Sequence, residues 1–120
     1  MKEQDLKLRT KRFALDVIKF VEFLPRDETC RILGRQLLRS GTSVGANYRA
    51  AKRAKSNADF INKMGMVEEE ADESGYWLEL LLESNKCAAI SANPLLGEAD
   101  ELAAITVASN NTARNSQPRK

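Results

Sequence analysis

The stretch that decides the fold is residues 31–55, which read RILGRQLLRSGTSVGANYRAAKRAK. On a helix that turns about 100° per residue, its cationic and apolar residues separate onto two sides. The arginines share an arc of about 80°, and they are Arg31, Arg35, Arg39, Arg49 and Arg53. The other side carries Leu33, Leu37, Val44, Tyr48 and Ala51, and one edge between the two sides carries Gly34, Gly41 and Gly45. The stretch therefore predicts a helix with a buried stripe, a cationic stripe and a flat seam.

Residues 40–45, SGTSVG, are the weak part of this helix, because glycine and β-branched residues have low helix propensity. One interpretation is a break or a kink at this segment. The other is a continuous helix over residues 28–54, in which the glycines let another backbone come close. The apolar and cationic stripes keep the same phase on both sides of the segment, which favours the continuous helix.

Amphipathic spacing of apolar residues predicts three further helices. They cover about residues 6–24, 57–86 and 94–112. Asp27 is a suitable N-cap for the helix that begins at residue 28. Ser56 or Asn57 would cap the next helix, and Asn93 followed by Pro94 predicts the start of the last one.

Four helices joined by short links, with no alternating strand pattern, predict an all-α fold. The predicted architecture is an antiparallel up-down-up-down four-helix bundle that forms an oligomer. A single domain is expected over residues 1–112, followed by a disordered tail over residues 113–120. The phase of the apolar stripes predicts the buried residues Phe13, Val17, Val21, Leu33, Leu37, Val44, Phe60, Met64, Val67, Leu78 and Leu102.

Composition argues against several kinds of site. The chain has no histidine, which removes the commonest general base and the commonest metal ligand. Cys30 and Cys87 make no disulfide framework and show no metal-ligand spacing, so we assign neither a catalytic role and expect no cofactor. No apolar run approaches the ~18 residues of a membrane span, and the N-terminal residues lack the apolar core of a signal peptide. We therefore expect a cytoplasmic protein, not an enzyme, that does not contact a membrane.

Charge is distributed unevenly, although the net charge is only +2. Residues 31–55 carry seven basic residues and no acidic one, whereas residues 57–86 carry eight acidic residues and two lysines. Segments of opposite sign attract each other, within a subunit or between subunits, and this explanation requires no ligand.

The acidic run EEEADE at residues 68–73 offers a metal-site hypothesis. Pairs such as Glu69 and Glu73, together with Glu98 and Glu101, are spaced as in helical Mg²⁺-dependent phosphate enzymes. An acidic face that meets the arginines is the favoured interpretation, because no phosphate-binding glycine loop is present. The order of the two acidic pairs is also reversed from that enzyme pattern.

The cationic stripe predicts a nucleic-acid-binding face, because arginines at i, i+4 and i+8 give a row of phosphate contacts. The predicted binding residues are Arg31, Arg35, Arg39, Arg49, Arg53 and Lys52. No base-reading motif accompanies them. The alternative is a structural or scaffold oligomer, in which the arginines only pair with the protein's own acids.

Two strings carry a resemblance to a known family: LLRSGTSVGANYRAAKRAKSNADFINKM at residues 37–64 and EEEADESGYWLELLLES at residues 68–84. The chain resembles the small bacterial four helix bundle proteins of the 23S rRNA intervening-sequence family, over about residues 6–108. It departs from the family pattern at Ala50, where an acidic residue is frequent, and at Gly65, which interrupts the third helix.

The resemblance implies a four-helix up-and-down subunit and a homopentamer, the form that relatives adopt. It also implies RNA or another nucleic acid as a partner. One relative, the accessory protein of diversity-generating retroelements, is a basic pentamer that engages nucleic acid and a reverse transcriptase. For most members the function is not established, so the resemblance leaves the binding and scaffold hypotheses both open.

Overall fold

The computed structural model describes residues 5–116, which fold into four α-helices with no strand. The helices are α1 (Leu6–Glu22), α2 (Glu28–Lys52), α3 (Asn57–Glu83) and α4 (Ala89–Asn115). They pack as a bundle in which α2 contacts α1 and α3, and α4 contacts α3 and α1. The bundle extends over 54 × 28 × 21 Å. None of these helices is both long and apolar enough to cross a membrane.

The α2 helix is continuous through residues 40–46, as predicted. Hydroxyl groups in the weak segment bond back to the preceding turn: Thr42 Oγ1 lies 2.8 Å from the Leu38 carbonyl, and Ser43 Oγ lies 2.8 Å from the Arg39 carbonyl. Asp27 is the N-cap, and its Oδ1 accepts a hydrogen bond from Cys30 N at 2.8 Å. This hydrogen bond is the main cause of a lowered pKa at Asp27, and a hydrogen bond from Lys86 Nζ is the second cause.

The glycine seam of α2 lies against α1. A Cβ atom built on Gly41 would be 3.0 Å from both Cγ atoms of Val17, and one on Gly45 would be 3.2 Å from Thr10 Oγ1. The predicted close approach therefore occurs, but inside the subunit. This seam cannot serve as an open surface for a second subunit.

The core matches the predicted apolar stripes closely. Eight of the eleven predicted residues are buried, and they are Phe13, Val17, Leu37, Val44, Met64, Val67, Leu78 and Leu102. Val21, Leu33 and Phe60 are only partly buried, at the edge of the core. A buried hydroxyl pair, Ser40 and Ser74 with 2.8 Å between their Oγ atoms, joins α2 to α3 within this core.

The predicted start of the last helix is wrong. The α4 helix begins at Ala89, so Pro94 lies inside it, and Ala88 is an N-cap without a side-chain hydrogen bond. Pro94 has no N–H to donate to the Ile90 carbonyl, and Ile90 is 85% exposed, so water can reach that carbonyl.

At its C-terminal end α4 continues through Asn115, past the expected end of the domain at residue 112. Residues 1–4 lie outside the described residues, as do residues 117–120, the last part of the expected disordered tail.

Candidate nucleic-acid interface

All six cations predicted to bind nucleic acid are exposed. Five of them lie on α2, and Arg53 is its C-cap residue. Their exposure follows from the position of α2, which buries its apolar stripe in the core and its glycine edge against α1. The cationic stripe lies on the remaining side of the helix, which faces solvent.

Two of the six are paired with carboxylates of the same subunit. Arg31 Nη2 lies 2.6 Å from Glu28 Oε2, one turn earlier on α2. Arg39 pairs across to α3, with Nη1 3.3 Å from Glu70 Oε1 and Nη2 bonded to Glu73. The Arg39 side chain is still 46% exposed. The Arg39 contacts match the expected attraction between the basic and acidic segments, and both sets of contacts reduce the charge that Arg31 and Arg39 can offer to a ligand.

The other four have no carboxylate within 4 Å among residues 5–116. They are Arg35, Arg49, Lys52 and Arg53. Arg35 lies in the first half of α2, and the other three lie at its C-terminal end. The cationic stripe is therefore strongest near the end of the helix.

The stripe is interrupted between Arg39 and Arg49. The positions of this interval that share the stripe's arc are Thr42, which is partly buried, and Ala46, which is exposed. Ten helical residues span about 15 Å. The α2 face thus presents two cationic groups with an uncharged surface between them. The first group is Arg31, Arg35 and Arg39, and the second is Arg49, Lys52 and Arg53.

A cationic cleft of about 190 Å³ adjoins the second group, and sequence reasoning gave it no role. Lys7, Leu8 and Lys11 of α1, the capping residue Asp5 and Arg49 of α2 line this cleft. The sequence held one signal for it, the i, i+4 spacing of Lys7 and Lys11 on α1. Their proximity to Arg49 depends on how α1 packs on α2, which the spacing alone does not reveal.

The acidic residues do not form the hypothesised metal site. Among residues 5–116, no group of three or more acidic or cysteine side chains is placed to hold a metal ion. Glu70 and Glu73 instead bind Arg39. Glu98 accepts hydrogen bonds from Arg9 at 2.7 and 3.0 Å, and Glu101 also binds Arg9.

The Arg9 contacts join α1 to α4. Arg9 donates hydrogen bonds to Glu98, the larger effect, and to Glu101, and both raise the pKa of its guanidinium, so this group stays charged. Arg9 is consequently a structural cation, unlike the unpaired cations of α2.

The two cysteines lie near one end of the bundle, outside this cationic surface. Cys30 is buried and Cys87 is partly buried. Burial raises the pKa of both thiols, which keeps them protonated and unreactive at neutral pH.

Comparisons with known proteins give one family. The family model described as "23S rRNA-intervening sequence protein" matches residues 2–108. A solved structure from Bacteroides thetaiotaomicron VPI-5482, described as a protein with unknown function from the S23 ribosomal protein family, is similar at a TM-score of 0.81. It is 34% identical, and the similarity covers 87% of this chain and 96% of that one. The chain matches no curated protein.

Proposed function

Because the chain belongs to the 23S rRNA-intervening sequence protein family, we propose that it is a non-enzymatic oligomeric protein that binds nucleic acid through α2. The observation that carries this proposal is the set of exposed α2 cations that have no carboxylate partner among residues 5–116: Arg35, Arg49, Lys52 and Arg53. Unpaired cations on a rigid helix can neutralise phosphates without first breaking an ion pair. The family description names 23S ribosomal RNA, so RNA is the nucleic acid that we expect first.

A binding role without catalysis fits the chemistry of the chain. It has no histidine, and burial raises the pKa of both cysteine thiols. Three carboxylates of the metal-site hypothesis, Glu73, Glu98 and Glu101, are already used in ion pairs with arginines. With these groups unsuited to acid–base or nucleophilic steps, we expect the protein to work in the cytoplasm by binding alone.

For the subunit we propose an up-down-up-down topology with antiparallel neighbours. Two long-range contacts support it. Lys86 Nζ, just after α3, lies 3.0 Å from Asp27 Oδ2, just before α2. Asn57 Nδ2, at the start of α3, donates to the Ala113 carbonyl near the end of α4 at 2.8 Å. Both contacts join the beginning of one helix to the end of its neighbour.

For the assembly we propose a homopentamer, as the resemblance to the family implies. Apolar side chains remain on the outside of the subunit, including Met66 and Tyr76 of α3, which are 41% and 53% exposed. At Gly65 and Gly97 an added Cβ would meet no atom within 4 Å, so these helix faces are open to close approach. A head-to-tail ring joins two different faces of the subunit, so it can bury these exposed apolar side chains and leave the cationic side of α2 open to RNA.

A scaffold without a nucleic-acid role is the second candidate. It draws support from the two arginines that already pair with acids of the subunit, Arg31 with Glu28 and Arg39 with Glu73. If the remaining cations paired with acids of neighbouring subunits, no phosphate-binding surface would remain.

RNA binding across a salt series tests the proposed function. We expect a short single-stranded RNA to bind tightly at low salt with little sequence preference, because no base-reading motif is present. If four cations each contact a phosphate, the logarithm of affinity should fall with a slope near −3 against the logarithm of salt concentration. Absence of binding at low salt would support the scaffold function instead.

Light scattering tests the assembly. We expect a particle of five times the 13.4 kDa subunit mass, stable on dilution to micromolar concentration. A monomer at that concentration would contradict the ring. In a ring every subunit repeats the cationic face, so modest contacts would add through avidity.

A further inference from the structure

Unpaired positive charge concentrates at one end of the subunit. The N-terminal part of α1 and the C-terminal part of α2 meet there, together with the turn that follows α2. Six exposed cations of this region have no carboxylate within 4 Å among residues 5–116, and they are Lys7, Lys11, Arg49, Lys52, Arg53 and Lys55. At the opposite end Arg31 and Lys86 are paired with Glu28 and Asp27, and the cations without such a partner among the described residues, such as Lys19 and Arg26, are fewer.

The close packing of α1 on α2 assembles this charge. A Cβ atom on Gly45 would lie 3.6 Å from the backbone carbonyl carbon of Thr10, so the two helices approach each other closely just beside Lys11. One helical turn after Gly45, Arg49 consequently shares a cleft with Lys7 and Lys11. Bringing three cations together costs electrostatic free energy, and among residues 5–116 only one acidic residue lines the cleft to offset it.

That acidic residue, Asp5, has a structural role. Its Oδ1 accepts a hydrogen bond from Leu8 N at 3.1 Å and caps α1. It forms no ion pair with the lysines or the arginine of the cleft at 4 Å or less. The cleft therefore keeps an excess of positive charge that suits an external anion.

We propose that this cleft binds a phosphodiester group of the RNA and is the main point of contact, so that the binding face extends from α2 onto α1. The proposal rests on the proposed nucleic-acid function and names Lys7, Lys11 and Arg49 as the phosphate ligands. The guanidinium of Arg49 presents a planar fork of donors, and the two ammonium groups act as mobile point charges beside it. Arg53 and Lys52 lie one turn further along α2 and would contact adjacent phosphates.

The test compares two double variants of α1 and the turn after it. Lys7→Ala with Lys11→Ala removes two cations from the cleft. Lys19→Ala with Arg26→Ala removes two exposed cations that lie away from it and have no carboxylate within 4 Å in the part of the chain that the structure describes. The probe is a short single-stranded RNA of mixed sequence. At about 0.1 M salt we expect at least about tenfold weaker binding for the cleft variant, a salt slope shallower by about 1.4, and less than about twofold change for the control.

Asp5→Asn is a second test, in which we expect RNA binding to become tighter instead of weaker. An asparagine keeps a side-chain oxygen for the cap but removes the negative charge from the cleft. We expect the affinity for the same RNA to rise about threefold, an outcome that loss of folding cannot produce.

The outcomes separate this inference from the function on which it rests. If the unaltered protein binds no RNA, the proposed function is overturned, and the inference with it. If it binds RNA but the cleft variant weakens no more than the control, or Asp5→Asn fails to tighten binding, the cleft alone is refuted. Equal melting temperatures of the variants confirm that the comparison reports binding.

Discussion

Charge reversal of Arg35, Arg49 and Arg53 to glutamate is expected to abolish RNA binding. Each arginine lost removes one phosphate contact, and each glutamate gained repels the phosphates that remain. Three lost contacts alone weaken binding at least about a hundredfold at about 0.1 M salt. Because all three side chains are exposed and unpaired among the described residues, the helical content and the melting temperature should stay close to those of the unaltered protein. Fluorescence anisotropy with labelled RNA measures the loss.

The control for this variant keeps the charge and changes the side chain. Replacement of the same three arginines by lysine should retain most of the affinity, since a phosphate accepts either cation. Arg39 is left unchanged because a glutamate there would face Glu70 and Glu73, and the subunit would lose stability for an unrelated reason. If the glutamate variant binds RNA as tightly as the lysine variant, the α2 face is not the binding surface.

Replacement of Gly41 by leucine is expected to lower the free energy of unfolding by about 3 kcal/mol. Gly41 is buried, and even a Cβ atom would stand 3.0 Å from both Cγ atoms of Val17, which is tighter than nine in ten Cβ contacts in real structures. Val17 is β-branched and fully buried, so it cannot rotate away. The longer side chain must therefore push α1 away from α2. Urea denaturation followed by circular dichroism gives the change.

Gly75 supplies the matched comparison for Gly41. Both glycines are buried inside helices, but a Cβ atom at Gly75 would meet nothing within 4 Å. Alanine at Gly75 should therefore raise the free energy of unfolding by about 0.5–1 kcal/mol, since it restricts the unfolded chain. Alanine at Gly41 should lower it. The same sign at both positions would show that helix propensity, and not the contact with Val17, decides the effect.

Much of the fold follows from apolar periodicity. The stripes of α2 keep their phase through the weak segment at residues 40–45, and this predicted one continuous helix correctly. The start of α4 was predicted wrongly because the Asn93–Pro94 signal is local. Leu95 and Ala92 are both buried on one side, and this packing carries the helix back to Ala89 in spite of the proline.

The sequence predicted that the six cations of the candidate site are exposed, but it did not predict which of them form ion pairs with acidic residues. A stripe opposite the apolar residues has to face solvent, so the six cations could be named from sequence. Which acid of the run at residues 68–73 meets Arg39 depends on the rotation of α3, and single-sequence patterns do not fix that rotation closely enough. Lys7 and Lys11 were missed because their place beside Arg49 depends on the packing of α1 against Gly45.

Pro94 makes the first turn of α4 a separate dynamic unit. The turn at residues 89–93 has no side-chain cap, and the proline removes a hydrogen bond that would join it to the next turn. Local opening of this turn therefore requires less free energy than unfolding of the whole bundle. Cys87 lies just before it, packed against the edge of the core. Each opening would admit solvent to that thiol while Cys30 stays covered.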